Sequence, residues 1–320
     1  MEATPFLKKL HHAASLTPSD IELPRLRSGD RRIGHLIPGI PPDSHSAVLI
    51  GFPGDEGVRR NGGRPGAALA PAAIRRALHR LTPPAEDSRF TKLLGHLLDA
   101  GDLEMSGDVA QDQDRLGAVV GEILREGAVA IVLGGGNEVS YGHFLGYTRA
   151  GLNVEIVNLD AHPDVRPVED QGPHSGSSFR LALEHPSHRL QRYTVAGLLP
   201  WSAPPEHVRY IREKKGCIVW KDDLTTPELH KLYRAGQGPI MACFDMDAVD
   251  SSEAPGVSAP ATGGLRSEVW LKAALEAGAS PRVHSMDLTE VNPLLDADGR
   301  TARLAALTVW HFLEGMAKRK

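Results

Sequence analysis

The feature that most constrains this chain is a recurrence of short apolar runs, at 47–52, 128–133, 154–159, 193–196, 218–220, 240–244 and 283–286. Several are continuous rather than alternating, the pattern of strands buried on both faces of a parallel sheet. Stretches of helical pattern lie between them, at 71–81, 112–126, 141–149, 266–277 and 301–320. Pro71 suits the first turn of the earliest of these. Strand–helix alternation predicts an α/β sandwich with a doubly wound, mainly parallel sheet. No fixed-period repeat or low-complexity linker divides it, so residues 46–320 read as one α/β domain. Residues 1–45, rich in Pro, Ser and charge, read as an extended lead-in.

Composition narrows the function. With 41% hydrophobic and 24% charged residues over 320 positions, the chain has enough apolar material for a core, which excludes wholesale disorder. Thirty-six basic residues stand against 40 acidic ones, a net charge of −4, with no long basic run. That balance argues against a nucleic-acid or anionic-membrane partner. No window approaches the roughly 18 apolar residues a membrane-spanning helix needs. The two cysteines, Cys217 and Cys243, sit in unrelated contexts, which excludes a disulfide framework and a cysteine-based zinc site. With no apolar leader at the start, they fit a cytoplasmic protein.

In doubly wound sheets, ligands bind beyond the carboxyl ends of the strands. The run 154–159 leads straight into Asp160-Ala161-His162-Pro163-Asp164. Its three potential ligands occupy alternate positions, which on a strand end project to one side. The run 240–244 ends in Asp245-Met246-Asp247, again a pair at i and i+2, with Asp250 three residues on. Carboxylates gathered at one edge repel unless a cation neutralises them. Oxygen-rich ligation with one imidazole suits a hard divalent ion, manganese among others. If Asp160 and Asp245 both bridge, two ions can share the site and generate hydroxide from water at neutral pH. A single strand-end Asp is more commonly a cap or turn former; the recurrence of the pattern on a second strand favours metal.

Together with Gly134-Gly135-Gly136-Asn137-Glu138 and Asp287-Leu288-Thr289-Glu290-Val291-Asn292-Pro293, these motifs resemble the ureohydrolase family of arginases, agmatinases and formimidoylglutamases, over residues 45 to 315. The resemblance implies an arginase-like three-layer α/β/α sandwich and manganese-dependent hydrolysis of a linear amidine or guanidine. It implies one manganese on Asp160, His162, Asp245 and Asp247, and a second on Asp160, Asp164, Asp245 and a histidine of the Gly-Gly motif. Asn137 occupies that histidine's place. Its amide oxygen is neutral and less donating, so three outcomes stay open: weaker binding of the second ion, operation with one ion, or loss of catalysis. His143, six residues later within a predicted helix, is a poor substitute. Glu290 matches the family's acid that orients the amidinium group, and His174 its histidine credited with proton transfer to the leaving amine. Asp164 or Asp247 would accept the proton of the attacking hydroxide. Cys243 reads as a small hydrophobe. A homo-oligomer is also implied.

Within the family, Gly57-Val58-Arg59-Arg60-Asn61-Gly62-Gly63-Arg64-Pro65-Gly66-Ala67, His174-Ser175-Gly176-Ser177-Ser178-Phe179-Arg180 and Pro255-Gly256-Val257-Ser258-Ala259-Pro260 are similar to the formimidoylglutamase branch. That branch converts N-formimidoyl-L-glutamate and water to L-glutamate and formamide, in histidine degradation. A substrate with two carboxylates calls for guanidinium forks near the mouth. Arg60, Arg64 and Arg180 are the candidates, Arg180 first. Two rivals remain: an agmatinase, arginase or guanidinobutyrase, and a catalytically weak member serving as a subunit, for which Asn137 speaks. Nucleotide binding through Gly134–Gly136 is weaker, since the run lacks both Gly-x-Gly-x-x-Gly spacing and a Walker lysine.

Overall fold

The computed structural model describes residues 5–38, 47–168 and 170–319. Among the described residues nine strands form one sheet: β1 (Leu16–Thr17), β2 (Ala47–Gly51), β3 (Leu97–Leu103), β4 (Val129–Leu133), β5 (Val154–Leu159), β6 (Leu190–Leu198), β7 (Cys217–Trp220), β8 (Ile240–Asp245) and β9 (Val283–Thr289). Their spatial order is β1-β3-β2-β4-β9-β8-β5-β6-β7. Every pairing is parallel except the short edge pair β1–β3. Among the described residues no helix is long and apolar enough to cross a membrane.

The continuous apolar runs have the reason expected of them. β2, β4 and β8 are buried at every position, and their successive residues feed opposite cores. Leu49, Ile131, Leu133, Ala242 and Phe244 join one core, which is roofed by the helices Ala70–Arg80, Ser267–Ala279 and Arg300–Ala317. Val48, Ile50, Ala130, Val132, Met241 and Cys243 join the other, under Val109–Arg125 and Val139–Ala150. Helices on both faces of the sheet make three layers.

Two expectations are corrected. The extended lead-in contains a helix, Pro5–Ala13, because Phe6 and Leu10 lie one turn apart and bury together against the second core; the boundary at residue 45 falls outside the described residues. The sequence reading assigns no strand to β3, Leu-Leu-Asp-Ala-Gly-Asp-Leu, because its apolar run is broken by aspartates and a glycine. Its two aspartates are held by a single buried cation. Arg75, fully buried, donates Nε to Asp99 Oδ2 at 2.9 Å and Nη2 to Asp99 Oδ1 at 3.0 Å, with Nη1 on Asp102.

Candidate metal centre

The four central strands, in the order β4-β9-β8-β5, converge their carboxyl ends on one point. At the end of β5, buried Asp160 takes Nδ2–H of Asn158 on Oδ2 at 2.9 Å, and the backbone N–H of His162 on Oδ1 at 2.6 Å. At the end of β8, Asp245 Oδ1 accepts the backbone N–H of Asp247 at 3.0 Å. Both are turns in which an aspartate bonds the amide two residues on. The spacing of the candidate ligands therefore comes from this turn rather than from an extended strand end; residues Met246–Ala248 are a 3-10 turn. Asp164 is swung inward by a left-handed backbone, φ 46°, a conformation that costs a non-glycine residue about 1 kcal/mol or more.

The result is two overlapping groups that share Asp160. The ligand atoms of Asp160, His162 and Asp247 lie within 4.8 Å of one another, and so do those of Asp160, Asp164 and Asp245. His162 Nδ1 is 3.1 Å from Asp247 Oδ2 and 3.6 Å from Asp160 Oδ1. Burial pushes the Asp160 carboxyl up to about 6, with Asp164 adding to it, and pushes Asp164 up to about 6 as well. Asp245 and Glu290 are driven well above the usual carboxylate range by burial, each with Asp247 as the next cause. The charge of Asp247 raises His162 against the opposing effect of burial. Without a cation, protons must do the neutralising. Asp247 Oδ1 is buried with no hydrogen-bond partner. Oxygen-rich donors, one imidazole and an orphaned buried carboxylate oxygen fit a hard divalent ion.

Glu290 and Asn137 frame the other side. The glycine run after β4 serves backbone approach: a Cβ on Gly135 would stand 1.9 Å from Gly54 O. Gly135 O accepts the Glu290 N–H at 2.8 Å, and Asn137 N–H donates to Glu290 Oε1 at 2.8 Å. Asn137 Nδ2 donates to Asp164 Oδ2. His143 is engaged elsewhere, its ring between Asp287 Oδ2 at 2.8 Å and Ser285 Oγ at 2.6 Å. Asp250 is a turn former, accepting from Ser252 and Gly263, and Cys243 is a buried member of the second core.

Above the centre opens a cavity of about 310 Å³, with Asn137, His162, Asp164, Asp245, Asp247 and Glu290 in its wall. The wall also holds Arg64, Arg166, Asn61, Ser175, Ser258 and His207. Arg64 is braced on the carbonyls of Val257 and Ser258, both at 2.9 Å. Arg166 ion-pairs with none of the described residues.

The structure does not bring Arg60 or Arg180 to the cavity. Arg60 donates to Glu56 Oε1 at 3.0 Å and to Pro173 O at 3.4 Å. Arg180 lies 3.3 Å from Glu184, with its guanidinium 4.2 Å from the Tyr210 ring centroid. Both cations are drawn to nearer partners on their own short helices. His174 is buried behind the wall, Nε2 3.1 Å from Pro167 O and Nδ1 without a partner, while its neighbour Ser175 reaches the cavity. The sequence motifs do not single out Arg166, which the structure places in the cavity wall, although it continues the two-residue spacing of 160, 162 and 164.

A carboxylate-rich centre at the carboxyl edge of a doubly wound parallel sheet defines a metal-binding α/β protein of the hydrolytic type. Residues 45–314 match the arginase family. The formimidoylglutamase of Geobacillus kaustophilus is 38% identical over 277 residues, 82% of this chain and 81% of that one. The crystal structure of Trypanosoma cruzi formiminoglutamase with Mn2+ superposes with a TM-score of 0.83 at 32% identity, covering 91% of this chain and 100% of that one. The formimidoylglutamase of Bacillus subtilis superposes with a TM-score of 0.81 at 25% identity, over 95% and 97% of the two chains. The chain belongs to the arginase family.

Proposed function

We propose that this protein hydrolyses N-formimidoyl-L-glutamate to L-glutamate and formamide, using manganese. The observation that carries the reading is the pairing of an acidic metal centre at the cavity floor with two arginines in its wall. Asp160, His162, Asp164, Asp245 and Asp247 would hold the metal. When bound, it supplies a Lewis acid and a nucleophilic water activated near neutral pH. Glu290, fixed by the Asn137 amide, orients the amidinium end of the substrate, whose positive charge favours the ionised form of this buried acid. Asp164 or Asp247 accepts a proton; His174, expected to pass a proton to the departing amine, lies behind the cavity wall on the Pro167 carbonyl and is given no step. Arg166, with Arg64, takes over from Arg60 and Arg180 in reading the substrate carboxylates.

The test is glutamate release from N-formimidoyl-L-glutamate by the manganese-loaded protein, with agmatine and arginine in parallel. Turnover of the first alone is expected. Turnover of a cationic substrate instead would overturn the arginine reading and keep the chemistry. Silence with metal bound would move the weight to a different amidine substrate, and silence without metal would favour the non-catalytic alternative for which Asn137 speaks.

A further inference from the structure

Asn137 is gripped at every polar group. Its N–H donates to Glu290 Oε1 at 2.8 Å, its carbonyl accepts from Ser178 Oγ at 2.6 Å, and its Oδ1 accepts from Ser140 Oγ at 2.8 Å. Its Nδ2 donates to Asp164 Oδ2. With the backbone anchored on both sides, the side chain retains one freedom, a half-turn of the amide that exchanges Oδ1 and Nδ2. Toward an ionised carboxylate only the N–H end is attractive; toward a cation only the oxygen is. Which end can face the centre depends on the partner on the inner side.

That partner is Ser140, one turn further along at the start of the helix Val139–Ala150. A hydroxyl donates to an amide oxygen or accepts from an amide N–H, so it satisfies either orientation. Ser140 is 1% exposed and Asn137 2%, so bulk water does not replace the hydroxyl. Without it, the inward amide oxygen is left unpaired when the N–H faces Asp164 and the inward N–H when the oxygen faces a cation; a buried N–H without an acceptor is the costlier of the two, so the cation-facing orientation loses more.

We propose that Ser140 is a positioning residue for the metal centre: its hydroxyl lets Asn137 offer an N–H to Asp164 when no cation is present and an amide oxygen when one is. The inference rests on the reading of the acidic cluster as a metal centre. Ser140 and Asn137 then act as a unit.

The test is a Mn2+ titration of the full chain, followed by the electron paramagnetic resonance signal of free Mn2+, on the parent, Ser140→Ala, Asn137→Ala and the double variant. Alanine is a good helix former, so Ser140→Ala should fold, which its melting curve checks. Ser140→Ala is expected to weaken the most weakly held Mn2+ about tenfold. In the Asn137→Ala background the same change is expected to alter it by less than about twofold. An unchanged affinity in Ser140→Ala, or an equal loss in both backgrounds, would overturn the proposal. Failure of the parent to take up any Mn2+ would overturn the metal reading and this inference with it.

Discussion

Asp160 and Asp245 do the same local work on two different strands. Each accepts the backbone N–H two residues on and so turns the chain at the sheet edge. Each also presents its carboxylate to the acidic cluster. This is why the Asp-x-His-x-Asp and Asp-x-Asp spacings are legible: the candidate ligand and the turn former are the same residue, and the signal lies within five positions. The arginines were harder to read, because a guanidinium on a long stem takes whichever acceptor the fold puts nearest. Arg180 found Glu184 and Tyr210, whereas Arg166 was left in the cavity wall. Replacing Arg166 with alanine is expected to raise KM for the dicarboxylate substrate about tenfold to a hundredfold, with a smaller change in kcat. Steady-state kinetics check this; an equal effect on a substrate analogue lacking the carboxylates would remove Arg166 from substrate reading.

At the level of elements, strands buried on both faces were recognised by their unbroken apolar runs, and β3 escaped because it carries Asp99, Gly101 and Asp102. Its acceptability depends on Arg75, which lies on the helix Ala70–Arg80 and supplies the buried partner these carboxylates need. Helix packing shows a comparable dependence. Ser267–Ala279 and Arg300–Ala317 cross so closely that a Cβ on Gly278 would stand 2.0 Å from Phe312 O, a backbone atom with little room to yield. Alanine at 278 would gain about 1 kcal/mol of helix propensity. The overpacking is expected to outweigh it, leaving Gly278→Ala destabilised by about 1–3 kcal/mol. Urea denaturation measures the difference, and a variant as stable as the parent would contradict the tight crossing.

At the scale of the molecule, the acidic centre links protons, metal and stability. Asp160 and Asp164, pushed up to about 6 by burial, hold protons in the native state that the unfolded chain, with carboxyls near 4, has already released. Native stability without metal therefore falls as pH rises through that window. Metal binding has the opposite sign, since its ligands must be deprotonated. The rise in melting temperature on adding Mn2+ to chelator-treated protein is expected to grow between pH 5 and pH 7, to be followed by thermal melts. An increment independent of pH would show that these carboxylates are not the ligands.

The strand–helix alternation, the parallel sheet and the two Asp motifs at its edge were written in the order of the residues, because periodicity and turn chemistry operate between near neighbours along the chain. The company each side chain keeps was decided by the fold. Asn137 meets Glu290 from 153 positions away, and Arg64 is braced by Ser258 from 194. Such contacts depend on which strands lie side by side, and an interaction of a few ångströms leaves no trace in the spacing of residues that far apart.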